Sequence, residues 1–69
     1  MSATIKLNGK TAPLDAATVA ELLDTLGLTA TTRGIAIALN GAVVPRSVWM
    51  NTAVTAGDEI EVILAMSGG

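Results

Sequence analysis

The residues of this sequence best suited to chemistry are its last two, Gly68 and Gly69. Because Gly has no Cβ, a terminal Gly-Gly can pass through a narrow channel that any side chain would block. The group that it delivers is a carboxylate with a pKa of ~3.5, which must be activated, for example as an acyl-adenylate, before a nucleophile can attack it. We therefore predict a substrate protein in which Gly69 is modified while Gly68 and Ser67 thread into a partner.

The rest of the sequence offers little to a catalytic mechanism. Cys, His and Tyr are absent, which removes thiolate nucleophiles, imidazole bases and the ligands preferred by zinc, copper and iron–sulfur sites. The serines have no His to activate them, and the sequence has no Gly-rich phosphate-binding loop. We expect no catalytic residue, no metal and no bound cofactor, so that the protein is not an enzyme.

Length and composition predict one small domain followed by a short tail. A chain of 69 residues buries only about 60% of the surface that its unfolded form exposes. Hydrophobic residues make up 51% of the sequence and Trp49 is its only aromatic residue, so the core must consist of Ile, Leu, Val and Ala. We expect the domain to span 1–65 and a flexible Gly-Gly tail to span 66–69.

The sequence also predicts a cytoplasmic protein without a membrane partner. No disulfide framework is possible without Cys, and the N-terminus lacks the basic region and apolar run of a secretory signal. The longest apolar run, 62–66, is far shorter than the ~20 residues of a membrane-spanning helix.

The charge pattern disfavours nucleic acid as a partner. The net charge is −2, and the four cations are scattered along the chain: Lys6, Lys10, Arg33 and Arg46. Three acids, Asp58, Glu59 and Glu61, lie close to the tail. They either steer a basic partner surface toward it or simply solubilise the outer face of the last strand.

The first half of the sequence predicts a hairpin followed by a helix. Alternating residues over 3–7 indicate a strand, Asn8-Gly9-Lys10 a turn, and 11–14 a return strand that Pro13 restricts to a sheet edge. Thr18 and Glu21 have the spacing of a capping box, and Gly27 is suited to end the helix. The residues of its apolar stripe recur at helical spacing: Val19, Leu22, Leu23 and Leu26.

The second half predicts three further strands. The apolar segment 35–39 is typical of an interior strand, and Asn40-Gly41 favours a two-residue hairpin turn into 42–44. A short helical turn follows in 46–53, where we expect Trp49 to pack beneath the loop. The final strand is expected over 59–65.

This order of elements predicts the α+β class and, within it, the β-grasp (ubiquitin-like) arrangement. A mixed sheet of about five strands would wrap one helix, because the apolar stripe of the helix needs a sheet to cover it. Composition alone does not select this topology over a ferredoxin-like one.

Short motifs in the second half strengthen the interpretation: Asn40-Gly41, Val-Val-Pro-Arg at 43–46 followed by Trp49, Gly-Asp-Glu-Ile at 57–60, and the terminal Gly68-Gly69. Each is weak alone, since Asn-Gly and Gly-Asp occur in many turns. Together with the order of elements and the length, they resemble the ThiS family, the sulfur carriers of thiamin biosynthesis. The resemblance covers essentially the whole chain.

The resemblance implies a function and a set of partners. A ThiF-type adenylyltransferase, similar to the ubiquitin-activating enzymes, would use ATP and Mg²⁺ to adenylate the carboxylate of Gly69. Sulfur from a cysteine desulfurase relay would then replace the adenylate and leave a thiocarboxylate. A ThiG-type thiazole synthase would take that sulfur into the thiazole ring, and Gly68 would accompany Gly69 into the partners' channels.

A docking face for such partners is predicted on the last strand and its neighbour. If Ile60, Val62 and Leu64 face the helix, Ile63 lies on the opposite face, where Ala36 and Ala38 also point outward. Small apolar residues on a solvent face suggest a binding patch, although singly exposed apolar residues are common on any surface.

Three other functions remain open on the sequence alone. The small subunit of molybdopterin synthase shares the fold, the Gly-Gly ending and thiocarboxylate chemistry, although that family is usually somewhat longer. A ubiquitin-like modifier would instead join Gly69 to a lysine of a target protein. In a plain binding module the Gly-Gly ending would be incidental.

Overall fold

The computed structural model describes residues 3–28 and 34–64, which form a five-stranded mixed sheet packed on one helix. The elements in chain order are β1 Thr4–Leu7, β2 Lys10–Pro13, α1 Val19–Thr25, β3 Ile35–Leu39, β4 Ala42–Val44, a 3₁₀-helix Arg46–Asn51 and β5 Glu59–Leu64. The strand order is β2-β1-β5-β3-β4. β1 and β5 are parallel and the other neighbours antiparallel, which confirms the β-grasp prediction.

Both hairpins close through two-residue Asn-Gly turns. Asn8 and Gly9 have φ of 51° and 82°, and Asn40 and Gly41 have φ of 51° and 86°. Positive φ at both central residues defines the turn whose twist matches paired strands, and Gly adopts it without strain. The sequence placed Lys10 in the first turn, but it belongs to β2, which starts and ends one residue earlier than expected.

The asparagines of these turns also fix β5 in the sheet. Asn8 Oδ1 accepts a hydrogen bond from the amide of Val62 (2.8 Å), and Asn40 Oδ1 accepts one from the amide of Glu59 (2.9 Å). The backbone amides of the two asparagines donate to Ile60 and Glu59 carbonyls in turn. The two turns therefore hold the first four residues of the last described strand, 59–62.

The start of α1 is capped by the two residues that the sequence indicated. Thr18 accepts a hydrogen bond from the amide of Glu21 (3.2 Å), and the Glu21 carboxylate accepts one from the amide of Ala17 (2.9 Å). In the expected capping box Glu21 would bind the amide of Thr18 itself. The shift by one residue accompanies a bridge between Thr18 and Ala53, which links this segment to a distant part of the chain.

The helix ends in a Schellman motif around Gly27. The amide of Leu28 donates to the Leu23 carbonyl (2.9 Å), the amide of Gly27 donates to the Asp24 carbonyl (3.1 Å), and Gly27 has φ of 78°. Leu26 therefore follows the last helical turn and is 41% exposed. The prediction that it completes a buried stripe is wrong for this reason.

The core lies between α1 and one face of the sheet. Its buried members come from the helix, the sheet and the loops: Ile5, Ala16, Val19, Leu22, Leu23, Ile35, Ile37, Val44, Trp49, Val54 and Ile60. Trp49 packs beneath the 3₁₀-helix as expected, and its Nε1 donates to the Val44 carbonyl (2.8 Å). The guanidinium of Arg46 lies 4.8 Å from the centre of the Trp49 ring.

The helix is too short to cover the whole sheet. Its seven residues span about 10 Å, whereas a six-residue strand such as β5 spans about 20 Å. Along the core-facing side of β5, Ile60 is buried, Val62 is half-buried and Leu64 is 52% exposed. Leu64 lies on the side expected from the sequence, but the helix does not cover it.

Candidate functional site

The predicted reactive tail continues from β5. Ser67, Gly68 and Gly69 lie outside the described residues, as does Ala65, so the predicted domain boundary at 65 stays a prediction. The described part of β5 ends at Leu64 and lies between β1 and β3 in the sheet. β1 pairs with the start of β5, at Glu59 and Ile60, whereas β3 pairs with β5 as far as Leu64. The tail thus continues from a strand end that is paired with β3.

The predicted docking residues meet on the outer face of the sheet, away from α1. Ile63 lies directly opposite Ala36, and Ala38 lies opposite Glu61. Residues opposite one another in antiparallel strands share a face and bring their Cβ atoms within about 5.5 Å. Ile63 is 54% exposed, Ala36 is exposed and Ala38 is half-buried, so the three form one apolar surface beside the end of β5.

Val43 extends this surface and was missed at the level of sequence. It lies opposite Ala38 on β4 and is 78% exposed. The sequence does allow this prediction, because a two-residue turn at Asn40-Gly41 fixes the register that pairs Ala38 with Val43. We call Ile63, Ala36, Ala38 and Val43 the outer-face patch.

An acidic edge flanks the outer-face patch. Glu59 and Glu61 are exposed on the same face of β5 as Ile63, because alternate residues of a strand share a face. Lys6 on β1 lies beside Glu59 in the parallel register. Along β5 the outer face is charged at Glu59 and Glu61 and apolar at Ile63, while Ala38 and Val43 lie level with Glu61 on the neighbouring strands.

The start of β5 is organised by the carboxylate of Asp58. Its oxygens accept hydrogen bonds from the Thr55 amide (2.8 Å), the Thr55 hydroxyl (3.1 Å) and Asn40 Nδ2 (3.1 Å). The bond from the Thr55 amide, followed by that from Asn40, favours the ionised form and lowers the pKa of Asp58 below its usual 3.8. This network joins the turn before β5 to the β3–β4 turn.

Comparisons with known proteins agree with this architecture. The ThiS family model matches residues 5–69. The chain belongs to the ThiS family. The crystal structure of thiamine biosynthesis protein ThiS from Geobacter metallireducens is 35% identical, with a TM-score of 0.77, and the match covers 96% of this chain and 99% of that one.

A second solved structure is similar in sequence and fold to this ThiS-family chain. The NMR solution structure of a thiamine biosynthesis protein from Geobacter metallireducens is 33% identical, with a TM-score of 0.76, covering 96% of this chain and 87% of that one. Comparison with curated proteins gives no significant match. Membership of the family supports a sulfur carrier of thiamine biosynthesis that meets sulfur-transfer partners.

The described residues of this ThiS-family chain contain few buried or clustered polar groups. No polar or charged residue of 3–28 and 34–64 is buried, and over these ranges no three metal-ligating side chains cluster. Within the same ranges no helix is long and apolar enough to span a bilayer. The exposed features on or beside β5, from which the tail continues, are the outer-face patch, its acidic edge and the end of the strand.

Proposed function

We propose that this ThiS-family chain carries sulfur on the carboxylate of Gly69 for thiazole formation. A ThiF-type adenylyltransferase joins the carboxylate to AMP from ATP and releases pyrophosphate. A persulfide sulfur that originates from a cysteine desulfurase then attacks the acyl-adenylate and displaces AMP, which leaves an acyl disulfide. A thiol such as cysteine cleaves the S–S bond of this acyl disulfide, so that a new disulfide forms and a thiocarboxylate remains at Gly69. A ThiG-type thiazole synthase accepts this sulfur. The chain is a carrier and co-substrate in these steps, not a catalyst.

The observation that carries the proposal is the extent of the family match. It spans residues 5–69 and so includes Gly68 and Gly69 as well as the folded domain. A match confined to the sheet and helix would support the fold alone, since one fold hosts many functions. Inclusion of the terminal glycines supports a function in which the tail takes part.

The outer-face patch supplies the docking surface in this proposal. Ile63, Ala36 and Ala38 contact the adenylating partner beside the end of β5, while Glu59 and Glu61 face basic residues around the partner's entrance. A docked domain holds the tail at the reaction centre, so that the encounter of carboxylate and ATP becomes effectively intramolecular. ATP and Mg²⁺ are bound by the partner. Because the reaction consumes ATP, we place the carrier in the cytoplasm.

Intact-mass measurement tests the proposal. The protein is incubated with ATP, Mg²⁺, a ThiF-type enzyme, cysteine and a cysteine desulfurase. We expect a mass gain equal to the exchange of one oxygen for one sulfur, located at Gly69 by fragmentation. Deletion of Gly69 is the matched control and should abolish the gain while the domain remains folded.

Other outcomes identify other functions. An unchanged mass with enzymes that are active on another carrier contradicts the proposal. Formation of isopeptide-linked ladders with target proteins identifies a ubiquitin-like modifier instead. Transfer of the sulfur to a pterin rather than a thiazole precursor identifies a molybdopterin synthase subunit.

A further inference from the structure

The last two described residues of β5 expose apolar side chains on opposite faces of the sheet. Ile63 is 54% exposed on the outer face, and Leu64 is 52% exposed on the face that carries the core. Leu64 lies opposite Ile35, which is buried. Pairing with β3 holds the backbone of Leu64 in the sheet, so its exposed side chain projects from a fixed position.

Leu64 also lies close in sequence to the group that the proposed function modifies. Five residues, 65–69, follow it, and five extended residues span at most about 17 Å. A partner that holds the carboxylate of Gly69 in an ATP site must therefore bring its own surface to within that distance of Leu64. The mouth of its channel therefore lies within about 17 Å of the end of β5.

We infer that Leu64 is a second anchor for the adenylating partner, which encloses the end of β5 from both faces of the sheet. The partner contacts Ile63 on the outer face and buries Leu64 on the core side. This inference rests on the proposed function and adds a contact on the face opposite the outer-face patch. Burial of the exposed half of a Leu side chain corresponds to about a tenfold change in Kd.

Three variants test the second anchor. Leu64→Ser removes the apolar group, and Leu64→Met retains an apolar side chain of similar volume. Leu26→Ser makes the same change as the first variant at a 41% exposed leucine that lies in the cleft between α1 and the β1–β2 hairpin. Circular dichroism and thermal melts establish that each variant is folded.

The readouts are the Kd for a ThiF-type enzyme and the KM of the carrier in ATP–pyrophosphate exchange. We expect Leu64→Ser to raise both about tenfold, and Leu64→Met and Leu26→Ser to stay near wild type. Wild-type values for a folded Leu64→Ser variant overturn the second anchor while the proposed function stands, provided that wild type is adenylated.

Two further outcomes also overturn the inference. Failure of the wild-type protein to be adenylated removes the proposed function and the second anchor with it. If size-exclusion chromatography shows a wild-type dimer that Leu64→Ser dissociates without changing enzyme binding, Leu64 is covered by a second copy of this chain.

Discussion

Single residues at the turn before β5 connect pH to the stability of the strand that carries the tail. The Asp58 carboxylate accepts bonds from Thr55 and Asn40, and the Asp58 carbonyl accepts one from the amide of Lys6 on β1. Because the folded state lowers the pKa of this carboxyl below 3.8, the ionised form stabilises the fold. That contribution is fully present well above 3.8 and is lost as the pH falls through the lower pKa of the folded state.

Replacement of Asp58 by Asn should therefore lower the stability of the fold at neutral pH but not in acid. We expect Asp58→Asn to lower the free energy of unfolding by about 1 kcal/mol at pH 7, the modest value of hydrogen bonds to a solvent-screened charge. The difference from wild type should shrink as the pH falls below 3.8. Urea denaturation at a series of pH values measures it.

Asp15→Asn is the control for Asp58→Asn. It makes the same chemical change at an exposed position in the segment between β2 and α1. We expect it to alter stability by less than about 0.5 kcal/mol. A difference between Asp58→Asn and wild type that does not vary with pH would contradict a role for the ionised carboxylate.

At the level of elements, local signals in the sequence predicted most of the fold. The two Asn-Gly turns identified both hairpins, and Thr18 with Glu21 marked the start of the helix. These features depend on residues close together in the chain, where turn and capping preferences are strong.

Apart from Val43, whose register the Asn40-Gly41 turn fixes locally, the main features that the sequence did not predict depend on distant segments. Glu21 binds the amide of Ala17 in a region that is bridged to Ala53, and no local pattern indicates that bridge. The exposure of Leu64 follows from the length of α1 relative to the sheet, which periodicity within β5 does not show. The sequence predicted Ile63 and Ala36 on one face, but their direct pairing is known only from the register of β5 with β3.

The outer-face patch of the sheet leads to a prediction about partner binding. Ile63→Glu places a charge within the outer-face patch, where the proposed partner needs an apolar surface. We expect the Kd for a ThiF-type enzyme to rise at least about tenfold. The fold should be retained, because a half-exposed side chain contributes little to the core. Isothermal titration calorimetry measures the affinity.

Val48→Glu is the matched control for Ile63→Glu. Val48 is 40% exposed on the 3₁₀-helix and is not part of the outer-face patch. The same added charge there should leave the Kd within about twofold of wild type. Equal losses in both variants would indicate a general effect of net charge and remove the evidence for a specific patch.

The molecule as a whole has one core to which every described helix and strand except β2 contributes a buried residue. β2 lies at the sheet edge, and Ala12 packs against the core from there. Trp49 lies where the 3₁₀-helix, β4 and this core meet. In the proposed function the domain must stay folded while a partner enzyme modifies the tail, because the outer-face patch and the start of the tail are both on β5.

This arrangement predicts a single cooperative unfolding transition. Trp49 is the only aromatic residue of the sequence, so its fluorescence reports on the 3₁₀-helix, whereas far-ultraviolet circular dichroism reports on the sheet and α1. Because both belong to one core, the two probes should give the same guanidinium midpoint and the same slope, as expected of a two-state domain. A fluorescence transition at lower denaturant would contradict this and show that the 3₁₀-helix opens first. In that case the hydrogen bond between Trp49 and Val44 would break while β5 was still folded. The 3₁₀-helix would then unfold independently of the strand that partners bind in the proposed function.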